Sequence, residues 1–123
     1  MSIAVELDRL RDETARYGAS AYLLTTGTDG RPHAVATAVR WEGDRLAAPA
    51  GNRTLGNVAG CPLVSFLWPP TEPDGYTLIV DAEADVVDGT VSARPTRGVL
   101  HRPGPAQPPR PSCTSDCVPL LGP

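Results

Sequence analysis

The chain has 123 residues, enough for one domain with a small core, and its formal net charge of −3 argues against nonspecific nucleic-acid binding. All 11 basic residues are arginine, which excludes Schiff-base chemistry and lysine general bases. No apolar run approaches the roughly 20 residues that span a bilayer, no basic-plus-apolar leader opens the chain, and three cysteines form no disulfide framework, so a soluble, cytoplasmic protein is expected.

Ile3, Leu7, Leu10, Thr14 and Tyr17 recur at helical spacing. They predict an amphipathic helix over 2–17, with Ser2 as its cap and Gly18 at its stop, lying over one mouth of the strand-rich body. At residue 20 the period changes to two. Residues 21–26 read as a strand, Thr28-Asp29-Gly30 as its turn and 31–41 as the returning strand. In that strand His33, Val35, Thr37, Val39 and Trp41 share one face, while Ala34, Ala36, Ala38 and Arg40 share the other. One face is bulky and the other nearly bare until it ends in a cation. A bare face either tucks under a neighbouring helix or subunit, or lets a flat ligand approach the backbone, with Arg40 meeting an anion at its edge.

Glu42-Gly43-Asp44 signals another turn before a short strand at 45–50. Residues 52–60 read as one or two helical turns with Asn52 as N-cap, ended by Cys61-Pro62, and 63–68 as a fourth strand. The proline-rich segment 69–75 should be an exposed loop. The strand at 76–87 has Tyr76, Leu78, Val80, Ala82, Ala84 and Val86 on one face and Asp81, Glu83 and Asp85 in water on the other. Asp88-Gly89 is a two-residue hairpin turn, and pairing Val87 with Thr90 sets Glu83 opposite Arg94.

Residues 103–123 carry 7 of the 14 prolines and no apolar period, so an extended or disordered tail is expected, pinned at its end by Val118-Pro119-Leu120-Leu121. The domain proper is then 1–102. It is all-β dominated: an N-terminal helix, six antiparallel strands, and a short helix between the third and fourth. Six such strands are better closed than open, because closure removes exposed edges, so a small split barrel is the expected architecture.

Other sites read blandly. His33 and His101 are surface or strand-end residues. Cys113 and Cys117 stand at C-x₃-C spacing without the second pair that a zinc site needs, so no metal is expected. Trp41, Trp68 and Tyr76 belong to the core or a subunit interface, with Trp68 also placed to stack near a bound ring.

The order of elements resembles the flavin-binding split-barrel family that includes pyridoxamine 5′-phosphate oxidase. The similar stretches are Gly30-Arg31-Pro32 leading into the alternating strand, Asn52-Arg53-Thr54 with Asn57, and Cys61-Pro62-Leu63-Val64-Ser65-Phe66-Leu67-Trp68. The endings at 95–103 and 116–120 are similar to those of a small subgroup of that family. The resemblance implies a homodimer with FMN or a deazaflavin coenzyme between subunits. It implies that Ala36, Thr37, Ala38 and Val39 border the ring, that Arg40 supplies a cation, and that Arg53, Thr54 and Asn57 form the phosphate element. Arginine forks onto phosphate oxygens and helix N-terminal N–H groups favour anions, which agrees with that assignment. The chain departs from the oxidase at Val35, Thr54 and Pro49 and in its proline-rich tail, so a vitamin B6 oxidase is not the expectation. A flavin- or deazaflavin-dependent oxidoreductase acting on a small molecule is. The alternative is a cofactor-free member that binds or transforms a small molecule in the same groove.

Overall fold

A computed structural model describes residues 1–104 of the chain. Cys113, Cys117 and all of the proline-rich segment beyond Gly104 lie outside the described residues. Eight strands and two helices succeed one another in order: β1 (Ser2–Val5), a 3₁₀ turn (Leu7–Arg9), α1 (Leu10–Tyr17), β2 (Ser20–Thr26), β3 (Pro32–Ala38), β4 (Arg40–Glu42), β5 (Arg45–Pro49), α2 (Asn52–Gly60), β6 (Leu63–Trp68), β7 (Thr77–Val87) and β8 (Thr90–His101). All pairings are antiparallel, in the order β3-β2-β6-β7-β8-β5-β4, with β1 added to β8. The sheet curls so that its ends, β3 and β4, are joined through the single residue Val39. This is the split barrel with two helices that the sequence led us to expect. Among the described residues no helix is long and apolar enough to cross a membrane.

Two differences raise the strand count from six to eight. The strand expected over 31–41 breaks at Val39, whose side chain is buried and whose N–H makes the last bond toward β2, to the Ala19 carbonyl at 2.8 Å; the chain then pairs with β5. The second difference is at the N-terminus, where only Leu10–Tyr17 is α-helical and Ser2–Val5 is a strand. The apolar spacing from Ile3 to Leu10 fits a helix, but β8 has a free edge from Gly98 to His101 that β1 fills. Ser2 accordingly meets His101 Nδ1 at 3.0 Å rather than capping a helix. The expected stop holds: Gly18 has φ +89°, and its N–H reaches the Thr14 carbonyl at 3.1 Å.

The β7–β8 hairpin is built as read. Asp88 and Gly89 both have positive φ, +50° and +72°, the backbone of a two-residue turn whose twist matches the strands. Val87 pairs with Thr90 and Glu83 with Arg94, joined by an ion pair of 2.8 Å that is half exposed and contributes at most roughly a fraction of a kcal/mol. Val80, Ala82 and Ala84 face inward and are buried, whereas Glu83 and Asp85 are exposed. Thr96 is an extra residue in the ladder, since Asp81 pairs with Arg97 and Ala82 with Pro95. That bulge lets a proline occupy a long strand and brings Gly98 to face α1.

Leu10, Leu23, Leu46, Phe66, Trp68, Leu78, Val80 and Val91 are fully buried. Three hydrogen bonds orient α1 on this core: Trp41 Nε1 to Thr14 Oγ1 at 2.9 Å, Trp68 Nε1 to the Gly18 carbonyl at 3.0 Å, and Tyr17 OH to the Tyr76 carbonyl at 2.9 Å. Burial, with Glu13 nearby, pushes the Tyr17 phenol above its ordinary value of 10.0, and Arg16 opposes the shift. The neutral phenol is favoured by the fold, so stability falls as pH rises above the unfolded value. Tyr17→Phe is expected to remove that alkaline decline, read from urea midpoints on either side of about pH 10.

A Cβ on Gly98 would lie 2.5 Å from Leu10 Cδ2 and 3.4 Å from Val5 Cβ. Leu10 is fully enclosed and has no room to swing aside. Gly98→Ala is therefore expected to destabilise the fold by about 1–3 kcal/mol. Gly60→Ala, at a site where a Cβ meets nothing within 4 Å, should leave the urea midpoint unchanged or slightly raised.

Candidate functional site

The β2–β3 hairpin and the start of α2 face each other across a cleft of about 570 Å³ whose walls include Asp29, Arg31, His33, Asn52, Arg53 and Asn57. The hairpin turn is closed by Gly30 N–H to the Gly27 carbonyl and Gly27 N–H to the Arg31 carbonyl, both 2.9 Å. Gly30 sits at φ +82°, where a side chain would be strained. Asp29 Oδ1 accepts the Arg31 N–H at 3.0 Å, an Asx turn that fixes where Arg31 leaves the backbone.

Gly51, not Asn52, is the N-cap of α2, and Asn52 is its first helical residue. Gly51 has extended backbone and its carbonyl takes the first helical bond, from Leu55 N–H at 3.0 Å. No side chain caps the helix, so the N–H groups of Asn52, Arg53 and Thr54 have no partner within it. That end carries a partial positive charge. Arg53 is exposed on the same turn and makes no ion pair among the described residues.

Thr54 and Asn57 are buried beneath this turn, at 2% and 8% exposure. Asn57 Nδ2 donates to Thr25 Oγ1 at 3.1 Å, tying α2 to β2. The Thr54 side chain is thus enclosed, and the element it offers to the cleft is its backbone N–H.

The strand expected to border a ring is the edge of the sheet. β3 pairs with β2 alone, and its outward residues Ala34, Ala36 and Ala38 are exposed. Thr37 points the other way, where its hydroxyl donates to the Pro49 carbonyl at 2.9 Å and bridges toward β5. Val39 belongs to the core. Arg40 is exposed at the far end of the strand, but its guanidinium is taken by Glu42, with Nε–Oε2 at 2.9 Å and a second contact at 2.6 Å. Trp68 is 1% exposed and packs near Phe66 with ring centroids 6.2 Å apart, so within this subunit it has no open face. The structure therefore gathers Arg53 and Asn57 at the cleft and Ala36 and Ala38 on the adjoining outer face. It sets Arg40 and Trp68 elsewhere. Arg31 and His33 were not singled out by sequence reasoning as site residues; the motif Gly30-Arg31-Pro32 marked the turn, and only the tertiary fold brings it to α2.

The outer face carries one further feature. The ladders align Ala36, Tyr22, Leu67, Ile79 and Val99 in one row across five strands. Tyr22 is 45% exposed, and Leu67 and Ile79 are partly exposed. Val99 at its end is buried, so the exposed part of the row is Ala36, Tyr22, Leu67 and Ile79, and it carries no charge.

The Asn57–Thr25 bond is a structural as well as a lining feature. Asn57→Ala leaves the buried Thr25 hydroxyl without its partner and is expected to cost about 1–3 kcal/mol in urea unfolding. Adding Thr25→Val should recover part of that loss, which a role confined to ligand binding would not produce.

No protein-family model matches the chain. An uncharacterized protein of Mycobacterium bovis and one of Mycobacterium tuberculosis are each 35% identical to it over 133 aligned positions, covering 93% of this chain and 93% of theirs. Among solved structures it is similar to an F420 reductase, with TM-score 0.57 and 17% identity over 70% of this chain and 94% of that one. It is also similar to an FAD-binding protein of Mycobacterium smegmatis, with TM-score 0.58 and 16% identity over 83% and 100% of the two chains. A third similar structure is a putative pyridoxamine 5′-phosphate oxidase of Listeria innocua, with TM-score 0.54 and 16% identity over 72% and 93%. The chain belongs to the same family as the two mycobacterial proteins, and its fold is the split barrel of the pyridoxamine 5′-phosphate oxidase type.

Proposed function

We propose that this protein is a cytoplasmic, flavin- or deazaflavin-dependent oxidoreductase that acts on a small molecule as a homodimer. The observations that carry the reading are an uncapped helix start and a free arginine at one cleft, together with a bare alanine face on the edge strand that begins at that cleft with Pro32. Ala36 and Ala38 put only methyl groups between a flat ring and the backbone of β3. Arg53 and the N–H groups at 52–54 suit a phosphate, and Asn57 adds an amide within reach of the same cleft. FMN or a deazaflavin supplies hydride transfer when bound, and the protein supplies position and electrostatics. That similar structures include an F420 reductase and an FAD-binding protein supports a cofactor of this type.

The exposed surfaces support the dimer. A strand face lined by alanine is too shallow to enclose a tricyclic ring, and the uncharged row through Tyr22, Leu67 and Ile79 offers a second copy an apolar face of the kind a two-fold interface buries. A second copy docked there supplies the missing wall.

A second reading, a cofactor-free protein that binds a small molecule in the same groove, draws support from two observations. Arg40 is neutralised by Glu42, and Trp68 is enclosed in the core, so two groups suited to a flavin are engaged elsewhere.

Absorbance spectra of the purified protein, before and after adding FMN or the deazaflavin coenzyme, separate the two readings. A perturbed flavin band and micromolar affinity support the first; unchanged spectra with both coenzymes favour the second. Light scattering should report a dimer, and Tyr22→Arg should shift it to monomer while the far-ultraviolet circular dichroism stays that of the wild type. A wild-type monomer in the presence of cofactor overturns the dimeric site.

A further inference from the structure

The proposed phosphate site has one arginine, Arg53, where a dianion calls for more positive charge. The tertiary structure brings a second. Arg31 lies across the cleft from Arg53, on the β2–β3 turn, and both line the same cavity. The nearest acid to Arg31 is Asp29, with Nε and Oδ2 3.8 Å apart, too far for a hydrogen bond. The other Asp29 oxygen is occupied by the Arg31 backbone N–H. Asp29 thus fixes the turn and leaves the five donors of the Arg31 guanidinium largely unspent.

A third group converges from below. Asn57, only 8% exposed, spends Nδ2 on Thr25, and its Oδ1 has no hydrogen-bond partner among the described residues. No side-chain polar atom there is both sealed from solvent and unpaired, so that oxygen opens onto the cleft it lines. The Thr25 hydroxyl either donates or accepts. A half-turn of the Asn57 amide therefore keeps the Thr25 bond while presenting Nδ2, a donor, to the cleft.

We propose that Arg31 and Arg53 together grip the terminal phosphate of the cofactor, with Asn57 as the buried donor, and that Arg31 is the residue that makes the site select a phosphorylated over an unphosphorylated flavin. The inference rests on the flavin reading above. Within β3, Val35 packs against the core, so the positive charge on this wall of the cleft comes from the turn that precedes the strand.

The test titrates FMN and riboflavin, which share the ring and differ in the phosphate, into wild type, Arg31→Ala, Arg53→Ala and the double variant. Wild type should prefer FMN by at least about 100-fold, and Arg31→Ala should lose about 10-fold in FMN affinity with riboflavin affinity unchanged. Asp29→Asn, which removes the one acid of the cleft, should not weaken FMN. An Arg31→Ala protein that binds FMN as wild type does, while Arg53→Ala is impaired, overturns this proposal and leaves the flavin reading standing. If wild type binds neither flavin, the FMN form of the cofactor reading fails, and inorganic phosphate, which both cofactors' phosphate site should take, becomes the probe. Phosphate-dependent shifts of the amide signals at 52–54 and the Arg31 Nε signal, abolished in the double variant, then uphold the two-arginine anion site. No shift at any phosphate concentration up to about 50-fold above that of the protein overturns it.

Discussion

Twelve residues of β8 hold β7 along their whole length, β5 at one end and β1 at the other. The register of that strand is imposed at one point, the positive-φ pair Asp88–Gly89, and the barrel depends on it. A slip of one residue would turn Asp81, Glu83 and Asp85 inward and Val80, Ala82 and Ala84 outward, a loss of several buried methyl groups together with the burial of three charges. The bulge at Thr96 then adds one residue at a chosen place. Beyond it Gly98, the residue without a side chain, faces Leu10, so α1 seats on the sheet and its end at Gly18 receives Trp68. The register of a surface hairpin thus decides how a helix on the other side of the molecule docks.

The same register reaches the candidate site through β5. Its pairing with β8 sets where Pro49 ends and where the chain turns into α2. α2 is then drawn onto β2 by the Asn57–Thr25 bond and by Val58, which is 2% exposed. Nothing in this chain of constraints passes through an ion pair. The six ion pairs among the described residues all involve substantially exposed groups, and such pairs contribute little to stability. Arginines at the surface are consequently free to serve a ligand without being needed by the fold.

How much of this was legible in the sequence depends on the range of the interaction. The strands at 20–26, 63–68 and 77–87 arise from local alternation, and the Asp88–Gly89 turn from two residues whose conformation admits few others. The N-terminal segment misleads because Ile3, Leu7 and Leu10 satisfy a helical period that β8's unpaired edge overrides, and no local signal reports a partner so distant in the chain. The break at Val39 is likewise non-local, since the chain beyond it leaves β2 and pairs with β5. For the site, Arg53 is marked by its place at a helix start, but Trp68 alternates equally well toward a core or a ring, and only packing decides. Arg31 was hidden by its own context. Between Gly30 and Pro32 it reads as a turn residue, and its approach to α2 exists only once β2 and α2 are bonded through buried polar groups.

A cation on a turn and a cation on a strand are not equivalent, and the difference bears on what this site recognises. The inward face of β3 is half-buried by its neighbours, so a cation at Val35 would be held in one place at the cost of partial desolvation. Arg31, by contrast, stays hydrated until a ligand arrives and is directed by an Asx turn rather than by packing. Every cation available here is a guanidinium, a planar fork that binds two oxygens at once and is less strongly hydrated than an ammonium. Two forks approaching from opposite walls, one from a helix start and one from a turn, discriminate by the number and direction of acceptor oxygens and not by charge alone. A terminal phosphate monoester presents three such oxygens; a phosphate that continues into a further chain presents two, and it must leave the cleft between the same two arginines. On the two-arginine proposal, the spacing of the helix and the turn, which the Asn57–Thr25 bond helps to set, is the physical quantity on which a choice between those two kinds of phosphate would turn.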